Sequence, residues 1–267
     1  MPKIEVNQVN LYYELHGSGE ETIVFSHGLL WSGRMFHKQV EALKNRYRIL
    51  VYDHRGQGRS EVTATGYEMD NQMEDAAQLI EKLGLGPCHF VGLSMGGFVA
   101  MRLAVYKPEL IQSITLMETS ADAEPPENIP KYHKLGKALQ WLGPWAVANP
   151  VMKIMFSQKF REDASRKEER KYWRKQFTAN KRSIVKALGG VTGRKSFFEE
   201  LKKIQCPTLI MVGDQDTATV PAKSERMHSQ IPQSKLVYIQ GGGHSSSIEE
   251  PEQVNQAILE FLENLET

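Results

Sequence analysis

The chain has 267 residues, 40% hydrophobic and 24% charged, with a formal net charge of +1. These are ordinary values for a folded globular protein, long enough for one large α/β domain or a core with an insertion, and the balanced charge gives no global reason to expect nucleic acid or an anionic membrane as partner. No run approaches the roughly 18 apolar residues of a membrane helix and residues 1–6 carry no signal-peptide core, so the expectation is a cytoplasmic protein without membrane insertion.

Residues 4–6 and 9–14 read as two short strands joined at Asn7-Gln8, the antiparallel edge of a larger sheet. Thr22-Ile23-Val24-Phe25 is a compact apolar strand that ends in Ser26-His27-Gly28-Leu29-Leu30. Residues 35–45 have helical period, with Phe36, Val40 and Leu43 on one stripe, and residues 48–52 form the next strand. The polar loop 53–60 lacks the Lys-Ser/Thr ending of a phosphate loop and is expected to be structural, with Asp53 paired to Arg55. Residues 70–83 are helical and are stopped by residues 84–87. A strand from residue 88, a helix over 98–106 and a strand over 111–117 follow. This alternation predicts a mostly parallel sheet covered on both faces.

The rhythm then breaks. Between residues 121 and 203 Pro125, Pro126, Pro130, Pro144 and Pro150 punctuate short helical pieces, clearest at 132–142, 149–156 and 167–177. The reading is a helical cap, residues 121–203, inserted in a core made of residues 1–120 and 204–267. Residues 141–156 suit either the lining of an apolar pocket or packing on the core. Residues 159–203 carry a surplus of nine Lys and Arg over Asp and Glu, which fits a solvated face or attraction of an anionic substrate. The sheet resumes at 208–212 and ends in Gly213-Asp214-Gln215-Asp216-Thr217. A helix over 222–231 leads to a last strand, 236–239, which runs into Gly241-Gly242-Gly243-His244. An amphipathic helix over 251–265 closes the chain, with Val254, Ile258, Phe261 and Leu262 on one face. Cys88 and Cys206 each sit at a strand start, where a small buried apolar residue fits.

The chemistry centres on Gly92-Leu93-Ser94-Met95-Gly96, between an apolar strand and a helix. A serine hydroxyl is a poor nucleophile unless a sharp turn exposes it beside a base and backbone N–H donors. The base must be neutral, and the imidazolium it becomes needs a fixed anion behind it. Ser94, an acid at Asp214 or Asp216, and His244 each stand at the carboxyl end of a different predicted strand, where ligand sites of parallel sheets collect. Asp216 is preferred as the acid, which leaves Asp214 as a turn or capping residue. The backbone N–H groups of Leu29 and Met95 are candidate oxyanion donors, and His27 is expected to brace its loop rather than act as base.

The order Ser, Asp, His, with His27-Gly28, the 53–60 loop, the elbow at 92–96, Gly213-x-x-Asp216 and Gly243-His244 followed by Glu249-x-Pro251, resembles the α/β-hydrolase superfamily over nearly the whole chain. The resemblance implies the α/β-hydrolase fold, a mostly parallel eight-stranded sheet with helices on both faces and a helical cap insertion. Within the superfamily the chain looks most like small lidded esterases, enol-lactonases and cofactor-free haloperoxidases. It implies a serine esterase or lactonase acting on a small-molecule substrate, with catalytic Ser94, Asp216 and His244, Leu29 and Met95 as oxyanion hole, and no metal or organic cofactor. Haloperoxidase members commonly carry proline in the oxyanion loop where this chain has Leu29-Leu30, which favours plain hydrolysis. A catalytically weak ligand-binding protein and a carbon-carbon bond hydrolase or haloperoxidase of the same fold are the alternatives, and the sequence leaves oligomeric state open.

Overall fold

The computed structural model describes residues 2–265; Met1, Glu266 and Thr267, at the ends of the expected core segments, lie outside the described residues. Eight strands form one sheet: β1 (Lys3–Val6), β2 (Val9–His16), β3 (Thr22–Ser26), β4 (Arg48–Tyr52), β5 (Cys88–Leu93), β6 (Ile111–Met117), β7 (Thr208–Gly213) and β8 (Ser234–Ile239). Their order is β1-β2-β4-β3-β5-β6-β7-β8, with β1 and β2 antiparallel and the strands from β4 to β8 parallel. Every residue of β3, β5 and β7 is buried. Strands covered on both faces cannot alternate with polar residues, which is why these three read as unbroken apolar runs. The edge hairpin turns at Asn7 and Gln8, both at positive φ as a two-residue primed turn requires.

Three helices precede the insertion: α1 (His37–Leu43), α2 (Met69–Leu83) and α3 (Met95–Tyr106). Between β6 and its sheet neighbour β7 the chain leaves the core for α4 (Ile129–Leu142), α5 (Pro144–Met155), α6 (Gln158–Glu162), α7 (Lys167–Thr178) and α8 (Val185–Thr192). The last three helices are α9 (Pro221–His228), α10 (Ser246–Glu249) and α11 (Pro251–Glu263). On one face of the sheet Ile23 and Phe25 pack with Val40 and Leu43 of α1 and Val254 and Ile258 of α11. On the other, Val24 and Leu50 pack with Ala77 and Ile80 of α2, Val99 and Leu103 of α3 and Met227 of α9.

Four local expectations are corrected. Helix α3 begins directly after Ser94 rather than at residue 98, because Gly96 and Gly97 hide its first turn from an apolar period. Pro150 does not interrupt α5; burial of Val147, Val151 and Met155 holds the helix through the missing N–H. Helix α8 is not among the clearest expected helical pieces, since Gly189 and Gly190 weaken its propensity. Gly190 is there for packing: a Cβ would lie 1.9 Å from the Tyr67 carbonyl oxygen. Finally, Asp53 and Arg55 do not pair. Arg55 gives Nη2 and Nε to the two oxygens of Asp75 on α2, at 2.6 and 2.9 Å. Asp53 instead accepts the Gly33 and Arg59 N–H groups, each at 2.8 Å.

The topology decides where chemistry can occur. From β3 the chain crosses to β4 on one side and returns to β5 on the other, so the loops leaving β3 and β5 part at a switch point. The register pairs Ser26 with Gly92, Leu93 with Met117 and Gly213 with Ile239. The strand ends that precede Leu29, Ser94, Asp216 and His244 therefore finish on one rim.

The Arg55–Asp75 pair is almost wholly buried, with side-chain exposures of 6% and 1%. Removing one partner strands a buried charge, so Asp75→Ala should cost about 3–5 kcal/mol in urea unfolding, whereas Lys44→Ala at the exposed pair with Glu41 should leave the urea midpoint close to that of the parent. Equal costs for the two variants would contradict this account.

Candidate active site

Ser94 stands at φ 52° and ψ −108°, a backbone conformation that a side chain rarely takes. The turn is forced by crowding. A Cβ on Gly92 would lie 2.2 Å from the Gly96 carbonyl oxygen, and one on Gly96 would lie 2.0 Å from that of Ser26. The elbow is tied down by Ser94 N–H to the Met117 carbonyl at 2.8 Å, and by the Thr119 hydroxyl to the Ser94 carbonyl at 2.7 Å.

The side chain of Ser94 points at His244, with Oγ 3.1 Å from Nε2. His244 Nδ1 lies 2.9 Å from Asp216 Oδ2. Burial would raise the Asp216 carboxyl, but the His244 charge, its hydrogen bond and the Thr219 hydroxyl and N–H hold it below the ordinary value. A charged Asp216 fixes the proton on Nδ1 and leaves the Nε2 lone pair for the serine hydroxyl. Thr219 was not anticipated. Its hydroxyl donates to Asp216 Oδ2 at 2.6 Å and stands 3.2 Å from His244 Nδ1, while Ala218 and Thr219 N–H groups fill Oδ1. Asp214 takes the Gly241 N–H at 2.8 Å, a turn contact away from the histidine.

The loop after β3 is braced on both sides of Leu29. His27 Nε2 accepts the His54 N–H at 2.9 Å, so its Nδ1 carries the proton that goes to the Gly28 carbonyl at 2.7 Å. Burial lowers the His27 pKa, which keeps the brace neutral. Leu30 donates its N–H to Gln57 Oε1 at 2.9 Å. Between these anchors the Leu29 N–H, like that of Met95 at the start of α3, donates no hydrogen bond among the described residues. Gln57 was not anticipated either, because its side chain acts across the sheet from a loop that read as merely structural.

A second support lies behind the histidine. Glu249, buried in α10, accepts the Gly243 and Ser245 N–H groups on Oε1, at 3.1 and 3.2 Å, and the Ser157 N–H on Oε2 at 2.8 Å. The two residues flanking His244 are thereby joined to the junction between α5 and α6. Glu118, at the end of β6, takes the Gly213 N–H on Oε1 at 3.1 Å, and the Ser246 hydroxyl faces its carboxyl. Burial first, then the charge of Asp216, push its carboxyl well above the usual range.

Over Ser94 and His244 lies a chamber of about 120 Å³. Leu29, Leu30 and Phe98 line it from the core, and Leu135, Leu139, Val151, Ile154 and Met155 from the insertion. Glu124, Tyr132, Arg194 and Lys223 give it a polar side. Trp141 and Trp145, in the segment expected either to line a pocket or to pack on the core, do neither and are 74% and 69% exposed. The surplus cations of residues 159–203 do not converge on the chamber, where Arg194 alone of them is found and is paired with Glu124 at 3.0 Å. Cys88 and Cys206 are free thiols that burial pushes up to about 12 and about 11, values that suit packing rather than nucleophilic chemistry.

Residues 21–251 match the family model described as the alpha/beta hydrolase fold. The chain belongs to this family. A putative carbamate hydrolase, RutD, of Stutzerimonas stutzeri is 28% identical across 94% of this chain and 96% of its own. Among solved structures, a thermophilic esterase from Thermogutta terrifontis superposes with a TM-score of 0.92 at 28% identity, covering 100% of both chains. The enol-lactonase of Burkholderia xenovorans LB400 gives 0.91 at 26% identity over 98% of this chain and 99% of its own. A bromoperoxidase from Bacillus anthracis gives 0.88 at 28% identity, over the same shares. This alpha/beta hydrolase thus has relatives that are hydrolases, on the eight-stranded fold the sequence predicts.

Because the folded pKa of Glu118 lies above its unfolded value, the folded chain keeps a proton that the unfolded chain has released. Its contribution to stability is whole below about pH 4.5 and is lost as pH rises toward the folded value. Glu118→Gln fixes the neutral form, so the melting temperature of the variant relative to the parent should climb between acid and alkaline pH. A difference that stays constant with pH would remove Glu118 from this role.

Proposed function

We propose that this protein is a serine hydrolase that cleaves a carboxylic ester or lactone of a small, partly hydrophobic molecule through an acyl-enzyme intermediate. The observation that carries the reading is the unbroken line from Ser94 Oγ through His244 to Asp216, at 3.1 and 2.9 Å, next to two backbone donors with nothing to bond. His244 takes the Ser94 proton as the oxygen attacks the carbonyl carbon. Asp216 holds the imidazole and balances its charge. The N–H groups of Leu29 and Met95 receive the oxyanion, a contribution on the order of 10² to 10³ in turnover per donor by analogy with a protease. The protonated His244 then gives its proton to the leaving alcohol, and water activated by the same ring releases the acid.

Helices α4–α8 act in this reading as a cap whose inner apolar side excludes water and selects the acyl or alcohol group. The modest chamber favours short chains. A cytoplasmic location belongs to the same proposal. The named carbamate hydrolase relatives make a carbamate the second substrate class to test, since attack on its carbonyl uses the same geometry. Leu29-Leu30 in the oxyanion loop, in place of proline, argues against peroxide chemistry as the main activity.

The decisive assay compares p-nitrophenyl acetate, butyrate and N-methylcarbamate with the parent protein and Ser94→Ala. The variant should lose roughly four or more orders of magnitude in kcat, and a fluorophosphonate should modify Ser94 in the parent alone. Equal rates for both proteins would end the hydrolase mechanism and leave a binding protein.

A further inference from the structure

The insertion has an outer surface that the chemistry above does not use. From residue 128 to residue 161 the chain holds Lys131, Lys134, Lys137, Lys153, Lys159 and Arg161 and no Asp or Glu. A near-neutral whole thus conceals a hairpin of one sign. On α4, Lys134, Lys137 and Trp141 recur at steps of three and four, which places them on one stripe of the helix. All three are exposed. None of Lys131, Lys134, Lys137 and Arg182 is in an ion pair among the described residues.

At the corner where α4 becomes α5, Gly143 turns the chain at φ 93°. Around it Trp141, Leu142 and Trp145 are 74%, 56% and 69% exposed. Arg182 Nε stands 3.8 Å from where a Gly143 side chain would begin. Single exposed apolar residues are ordinary, but two tryptophans and a leucine exposed within five positions concentrate apolar surface at one corner of the free protein. Tryptophan is also the side chain suited to a boundary with one apolar and one wet side.

The charge pattern selects the occupant. A second copy meeting this corner across a two-fold axis would bring Lys134 against like cations, with no acid in the hairpin to relieve them. Nucleic acid would satisfy the lysines but offers a protruding Leu142 nothing. An acidic phospholipid bilayer answers both features, with phosphates for the lysines and an acyl boundary for the indoles. We propose that the α4–α5 corner is a peripheral docking surface for an acidic bilayer, with Trp141, Leu142 and Trp145 entering its headgroup region and Lys131, Lys134, Lys137 and Arg182 lying on its phosphates.

The test is co-sedimentation of the full chain with vesicles of phosphatidylcholine alone or mixed with phosphatidylglycerol, at low and high salt. Mixed vesicles should bind the protein and shift its tryptophan emission to the blue. High salt should weaken the binding, and pure phosphatidylcholine should bind it far less. Trp141→Ser with Trp145→Ser, and separately Lys134→Glu with Lys137→Glu, should each weaken binding by about ten-fold or more. The replaced side chains are exposed, so both double variants should melt with the parent. Any of four results would overturn the proposal: no binding to mixed vesicles at low salt, equal binding to both kinds of vesicle, binding that survives both double variants, or vesicle-independent self-association or duplex DNA binding abolished by the tryptophan replacements.

Discussion

The architecture depends on one steric constraint, the contact between the elbow of Ser94 and the end of β3. Gly96 rests so close to the Ser26 carbonyl that no side chain fits between them. That closeness holds Ser94 in a conformation costing about 1–3 kcal/mol, which persists because β5 and α3 are buried on either side of it. Two consequences follow from the same turn. Helix α3 starts at once, leaving the Met95 N–H without an acceptor, and the loop after β3 lies against the serine, with Ser94 Cβ 3.4 Å from where a Gly28 side chain would begin. The hydroxyl and both free donors are products of one packing decision.

Around this turn the protein places three buried carboxyls, and their differing partners give them different charge states. Asp216 receives a hydroxyl, two N–H groups and an imidazole and stays ionised. Glu118 receives one N–H and the nearby Ser246 hydroxyl and faces the Asp216 charge, so burial dominates and favours its neutral form. Glu249 lies between them: burial raises it, while three backbone donors oppose the rise. Like charges crowded in low dielectric cannot all persist, and the hydrogen bonds concentrate the negative charge on Asp216, the one carboxyl that touches the histidine ring.

Much of this was legible in the sequence because it depends on strand ends. Apolar runs mark the parallel strands, and a serine between glycines, an aspartate after Gly213 and a histidine after three glycines mark where they stop. What stayed hidden acts through space. Thr219, Gln57 and Glu118 carry no periodic or motif signal, since a hydroxyl, an amide and a carboxyl of ordinary loops gain their roles only once β4 lies beside β3, β6 beside β7 and β7 beside β8. The mistaken Asp53–Arg55 pair shows the same limit: nearness along the chain suggested it, but Gly56 and Gly58, both at positive φ, bend the loop and Asp75 arrives from α2. The tryptophans of α4 and α5 misled for another reason. Hydrophobicity says a residue prefers burial, but it does not say which face of a helix meets the core.

That last point bears on how the insertion is held. Its inner contacts with the histidine loop are polar and specific: Ser157 N–H to Glu249, Lys159 to Glu250 at 2.6 Å, and Arg166 to the Ile248 and Glu249 carbonyls at 3.0 and 2.5 Å. The backbone N–H of Ser157 and the guanidinium of Arg166 fix direction, since their hydrogen bonds weaken steeply when misaligned. Helices α4 and α5, by contrast, approach the chamber through Leu135, Leu139, Val151, Ile154 and Met155, with Tyr132 the polar exception, and apolar contacts of this kind tolerate repacking better than directional bonds do. The insertion thus meets the residues flanking His244 through directional polar bonds and the chamber largely through side-chain packing.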